Sequence, residues 1–159
     1  MKLVVLRHAA KGVFPLLDPE LTPEGLRQAA ELAARTKKSL LPVPTQLLSS
    51  PRRRARQTLT PLAEMWGLSV KDSLLLYDRQ NDERADAFRL RIRQFIQQMS
   101  ELDERTVVYC CSHMDWLDEF TALMDCDRDL SDFGPWRTCQ YLIFEHQNSW
   151  FYRGQGRAE

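Results

Sequence analysis

The chain has no apolar run long enough to cross a bilayer. Its first apolar run, Leu3 to Leu6, is only four residues long and has no small-residue cleavage site after it, which argues against a secretory leader. It carries no net charge, since 22 Lys and Arg balance 22 Asp and Glu. That excludes the broad basic surface of a general nucleic-acid binder. No Gly-rich phosphate loop is present, which weighs against an ordinary nucleotide-binding α/β protein. The cysteines, Cys110, Cys111, Cys126 and Cys139, show no CxxC spacing, and the adjacent pair lies in a strand-like run. They read as reduced core thiols of a cytoplasmic protein rather than as disulfides or a zinc site. Repeats, low-complexity tracts and linkers are lacking too. What is there suits one folded domain over residues 1–159, with 43% hydrophobic and 28% charged residues.

Apolar strands alternate with amphipathic helices. Residues 2–6 read as a strand, followed by a Gly/Pro/Asp loop. In "LTPEGLRQAAELAARTKK", Thr22 suits an N-cap and Pro23 a first helical position, with Leu26, Ala29, Ala30 and Ala33 expected on the buried face. "TQLLSS" reads as a short strand. "PRRRARQTLTPLAEMWG" reads as a helix opened by Pro51, closed by Gly67 and kinked at Pro61. A strand or loop with acidic groups fills residues 68–82. The clearest helix spans residues 82–102, with Phe88, Ile92, Phe95, Ile96 and Met99 inward and its arginines in water. "RTVVYCCSH" reads as a strand, "MDWLDEFTALM" as a helix, and the tail as two strands around a turn near Asn148. This order implies an α/β three-layer sandwich, a mostly parallel central sheet with helices on both faces.

Ligands bind such sheets beyond the carboxyl ends of the strands. Arg7-His8 ends the first strand, and His113 ends a later one. Each alone is an ordinary polar strand exit, and four arginines among residues 52–56 are ordinarily a solvated helix face. Jointly they place fixed positive charge at one sheet edge. Arginine grips phosphate oxygens through paired, charge-assisted hydrogen bonds, and a helix amino terminus adds backbone amides.

The blocks "LVVLRHAAKG", "LTPEGLRQA", "SSPRRRARQT" and "VVYCCSHMDWL" together resemble the histidine phosphatase superfamily, the phosphoglycerate mutase-like fold, in its short bacterial form. All four stand in the family's order, between residues 3 and 117, and the Ser-Pro-x-x-Arg-Ala-x-Gln-Thr block is the most specific of them. The resemblance implies that His8 is a nucleophile that becomes phosphohistidine. It implies that Arg7, Arg54 and His113 hold the phosphate oxygens, with His113 counted among the catalytic groups. Two arginines and a protonated histidine would neutralise the transferring group without a metal or cofactor, so neither is expected. Arg52, Arg53 and Arg56 have no family role and are expected in solvent, although Arg53 or Arg56 is placed to reach a distal charge on a substrate.

A carboxylic acid should protonate the leaving oxygen and later activate water. Glu83 ranks first among the candidates because it precedes a helix as the family's acid does. Asp78, Asp82 and Asp115 are the alternatives. The chain departs from the family at Ala9, where Gly is common, at Ala10, where a polar residue is common, and at Met114, where Gly is frequent. The segment after Gly67 is too short for the capping insertion of mutases, so an open site is expected. The expected activity is a metal-independent phosphomonoester hydrolase. Its expected partners are a phosphorylated small molecule or a phosphoprotein, with no nucleic acid and no membrane. The alternatives are a phosphate-binding or adaptor protein of the same fold, and a phosphomutase.

Overall fold

The strand and helix signals are realised in turn in the computed structural model, which describes residues 1–159. The elements are β1 (Lys2–Arg7), α1 (Pro23–Lys37), β2 (Gln46–Ser49), α2 (Arg53–Trp66), β3 (Val70–Asp72), a 3-10 turn (Leu74–Leu76), α3 (Ala85–Ser100), β4 (Val107–Ser112), α4 (Met114–Leu123), β5 (Gln140–His146) and β6 (Trp150–Arg157). They form one six-stranded sheet in the order β3-β2-β4-β1-β5-β6. The first four in that order are parallel neighbours, and β5 and β6 are antiparallel additions.

Strand alternation divides the core. Leu3, Val5, Val108 and Cys110 face α3 and α4, where they pack with Phe95, Trp116 and Phe120. Val4, Leu6, Tyr109 and Cys111 face α1 and α2, where they pack with Leu32, Leu59 and Leu62. Successive side chains on a strand point to opposite faces, so both layers of helices are recruited by the same short apolar runs. Cys110, Cys111 and Cys139 are buried free thiols, and Cys126 is half-buried and free. No helix is long and apolar enough to cross a membrane.

Three local expectations need correction. α3 begins at Ala85, not near Asp82, with Arg84 in extended backbone at its N-cap. On α3, Arg91 is not in open solvent: its side chain is 14% exposed and grips Glu83. The buried face of α1 is Gly25, Gln28, Ala29, Leu32, Ala33 and Thr36, while Leu26 and Ala30 are exposed. α1 is turned this way because Gly25 lies against the loop after β1. A Cβ at Gly25 would stand 2.0 Å from the Ala10 carbonyl oxygen.

Candidate active site

The register of three parallel strands assembles the site. β1 and β4 pair with Arg7 opposite Ser112, so His8 and His113 leave neighbouring strands at the same level. The His8 amide donates to the Ser112 carbonyl at 3.1 Å, and the two imidazole centroids are 5.4 Å apart. On the other side of β4, β2 pairs with Ser49 opposite Cys111 and delivers Ser50 and the first turn of α2 to the same edge. Arg54 occupies that turn. Arg7, His8, Arg54 and His113 are therefore brought together.

His8 is 3% exposed. Its Nδ1 lies 2.8 Å from the Ala9 carbonyl oxygen. A carbonyl only accepts, so Nδ1 carries the proton and Nε2 keeps its lone pair. Burial is the largest influence on its pKa, and with Arg54, Arg7 and Lys11 nearby it outweighs the hydrogen bond to Ala9 and pushes the value down to about 4. The residue is thus neutral near pH 7, with one ring nitrogen ready to form a bond. The loop behind it is fixed by the Ala9 amide donating to Thr58 Oγ1 at 2.9 Å and the Ala10 amide donating to Gln28 Oε1 at 2.9 Å.

His113 is held on both nitrogens. Arg54 Nη2 donates to Nδ1 at 3.1 Å, which leaves Nε2 protonated and donating to Ser50 Oγ at 2.7 Å. Burial first, then Arg54, His8, Arg52 and Arg7, push its pKa down to about 2. In this setting the ring is neutral, because desolvation and three guanidinium groups all disfavour a further cation.

Burial likewise lowers the pKa of Arg7 and Arg54 from the ordinary arginine value. Arg7 Nη1 donates to the Trp136 carbonyl, while the Nε atoms of both arginines are buried with no hydrogen-bond partner. A buried orphan guanidinium N–H is costly, and an oxyanion is the acceptor that relieves it. Two carboxylates flank Arg54, Asp78 at 3.8 Å and Asp18 at 3.9 Å. The free amide expected at the start of α2 is in part already used, since the Arg53 amide donates to Asp18 Oδ1 at 3.0 Å.

The other arginines divide. Arg53 and Arg56 are exposed and pair with Glu20 and Asp72. Arg52 departs from the solvated expectation: it lies over the Tyr77 ring and donates to Asp78 Oδ1 at 3.0 Å. Of the acid candidates, Glu83 is tied to Arg91 at both oxygens, 2.7 and 2.8 Å, and that pairing holds its carboxyl below the usual range. Asp82 is exposed. Asp115 accepts the Arg79 amide at 2.8 Å. Among the four, Asp78 is the one in an ion pair with Arg54. No three His, Cys, Asp or Glu side chains gather in a way that could hold a metal ion. Sequence reasoning missed Asp18, the Trp136 carbonyl and the role of Ser50. Ser50 belongs to the Ser-Pro block and was open to discovery there, whereas nothing in the sequence marks the other two.

The mostly parallel sheet, with two strand-end histidines and a helix-borne arginine at its carboxyl edge, defines a phosphoglycerate mutase-like α/β protein. Residues 4–80 match the model of the histidine phosphatase superfamily (branch 1). That match spans just under half of the chain, and the solved structures it resembles share its fold over nearly all of it. Among solved structures it is similar to the protein histidine phosphatase SixA complexed with tungstate, at 17% identity and a TM-score of 0.76, covering 99% of this chain and 97% of that one. It is similar to a mutant phosphoserine phosphatase from Entamoeba histolytica in complex with phosphoserine, at 16% identity and a TM-score of 0.77, covering 99% and 98%. It is also similar to a mycobacterial glucosyl-3-phosphoglycerate phosphatase with inorganic phosphate, at 22% identity and a TM-score of 0.69, covering 99% and 97%. No curated protein matches the sequence.

Proposed function

We propose that the protein is a metal-independent phosphatase that works through a phosphohistidine on His8. The observation that carries this reading is the neutral His8 ring, with Nε2 unprotonated, beside two buried guanidinium groups whose Nε donors have no acceptor. In the first step His8 Nε2 attacks phosphorus, the bond from phosphorus to the leaving oxygen breaks, and that oxygen takes a proton. In the second, water gives a proton back to the acid that protonated the leaving oxygen and its oxygen bonds to phosphorus, the P–N bond breaks with its electron pair returning to His8 Nε2, and inorganic phosphate leaves. Splitting one displacement in two lowers each barrier, and Arg7 and Arg54 hold the charge of the transferring group throughout. His113, through its hydrogen bond with Arg54, joins that clamp once an oxyanion competes for the guanidinium.

Asp78 is the proton donor in this reading, in place of Glu83. It sits beside Arg54, where a phosphate dianion and a carboxylate would repel, and a proton shared between Asp78 and the departing oxygen relieves that repulsion. Glu83 holds the 77–84 loop through Arg91. The substrates named for the three similar structures differ in everything but phosphate, so the reaction class is what transfers to this chain. Its substrate is a phosphorylated small molecule or a phosphoprotein.

Rapid quench with a labelled aryl phosphate, in the presence of EDTA, is expected to trap an acid-labile phosphoenzyme. His8→Ala is expected to abolish it. A full-strength phosphoenzyme in that variant, or a strict need for a divalent metal, would refute the mechanism.

A further inference from the structure

The loop between β1 and α1 is unlike the rest of the surface. Val13, Phe14, Leu16 and Leu17 are 68%, 77%, 80% and 88% exposed, so four large apolar side chains project from a stretch of five residues. The loop is held at its base. Lys11 bridges Leu21, and the Gly12 amide donates to the Glu20 carbonyl at 2.8 Å. The Leu21 amide donates to Gln57 Oε1 at 2.8 Å, and Asp18 accepts the Arg53 amide. Both contacts fix the apolar tip to α2, the helix that carries Arg54. Asp18, one residue after Leu17, is 3.9 Å from Arg54 itself.

We propose that this loop is a docking edge for a protein substrate, which lays an apolar patch on Phe14 and its neighbours while its phosphorylated side chain enters the His8 site. The inference rests on the phosphatase reading above and adds the kind of molecule that bears the phosphate. Continuity with the site is the first argument: Asp18, the residue after Leu17, pairs with Arg54, so the apolar tip is joined in sequence to the rim of the site. The second is the setting of the tip. Beside it runs a cleft of about 510 Å³ lined by Asp18, Glu20, Arg53, Arg56, Gln57 and Thr60. An apolar centre with a polar margin is the anatomy of a protein interface. A small phosphate ester held among Arg7, His8 and Arg54 leaves four exposed apolar side chains on the adjoining loop unused.

Two other occupants fit less well. An anionic membrane would meet Asp18, Glu20 and Glu24 on the loop and the helix start that follows it. A second copy of the chain would need about 800 Å² from each partner for a standing interface, whereas four such side chains offer on the order of a few hundred Å². That smaller area suits an encounter that ends when the phosphate is removed.

The test uses amphipathic peptides with one phosphorylated residue, made as phosphoserine and as phosphohistidine, each with either leucines or serines along one face. The variant is Phe14→Ser/Leu17→Ser, at exposed positions where folding is not at stake. Wild type should turn over the leucine-faced peptides with kcat/KM about tenfold above the serine-faced ones, the effect of losing an apolar anchor at an interface. The variant should lose that preference and keep its rate on an aryl phosphate. Equal rates on both peptide faces in wild type would overturn the proposal. So would an equal loss on peptide and aryl phosphate, since the loop would then merely shape the pocket. Vesicle binding or a concentration-dependent dimer that vanishes in the variant would overturn it in favour of those occupants. If wild type hydrolyses no aryl phosphate, the phosphatase reading has failed, and docking is judged by fluorescence anisotropy. Tighter binding of the leucine-faced peptide by wild type alone then supports it, and equal binding by both proteins overturns it.

Discussion

His8 and His113 are both buried and neutral, yet they are oriented oppositely by what each ring donates to. Ala9 fixes the proton of His8 on Nδ1, whereas Arg54 and Ser50 occupy both nitrogens of His113. One ring is left with a free lone pair and the other has both nitrogens engaged. The carboxylates separate in a similar way. Asp78→Asn is expected to slow alkyl phosphates by about 10²–10³ and activated aryl phosphates far less, because a good leaving group departs without a proton. Glu83→Gln is expected to leave that leaving-group dependence unchanged and to destabilise the fold by about 1–3 kcal/mol, since it weakens a charge-assisted pair with Arg91. Rates across a series of leaving groups, with thermal melts of both variants, check this. A steep new dependence in Glu83→Gln alone would return the acid role to Glu83. The sequence made Arg7, His8, Arg54 and His113 visible because strand ends and the Ser-Pro block are local signals. The pairing of Glu83 with Arg91 spans eight residues and a change from loop to helix, and no spacing rule exposes it.

The helices show where periodicity suffices and where it does not. The inward stripe of α3, Phe88, Ile92, Phe95 and Met99, is legible because it faces one apolar layer. α1 faces two surroundings, the sheet and the loop after His8, so its first turn is oriented by contact with Ala10 rather than by hydrophobicity. Leu26 is exposed in consequence, and Gln28 is buried because it holds the Ala10 amide. Gly25 is the element's tightest point. Gly25→Ala would drive a methyl into the Ala10 carbonyl, so the helix or the loop after His8 must shift. Its expected cost is about 1–3 kcal/mol of stability. Phosphoenzyme formation should fall as well, because Ala10 lies two residues from His8. A variant with wild-type melting and wild-type phosphoenzyme yield would show that this contact does not position the site.

At the scale of the whole molecule, the three histidines make stability depend on pH. Burial is the largest cause of the lowered pKa at each: His8 falls to about 4, His113 to about 2, and His146 moves in the same direction. In the unfolded chain they titrate near the ordinary value of about 6.5. Between that value and the folded ones, the unfolded chain binds more protons than the native protein. The stability these groups contribute is therefore fully present above about pH 6.5 and is lost as pH falls through the window toward 4. Each strongly shifted histidine adds a slope of up to about 1.4 kcal/mol per pH unit there. Urea midpoints should drop steadily between pH 7 and pH 5, well before carboxylates such as Glu83 begin to protonate. His8→Asn should reduce that slope by about one proton's share, and a midpoint that stays flat over this range would contradict the burial argument. Sulfate keeps its charge across the same window and would sit among Arg7, Arg54 and His113. An anion there favours a protonated His113, so sulfate should protect the fold more at pH 5 than at pH 7. Protection that is equal at both pH values would mean that His113 does not take part in anion binding.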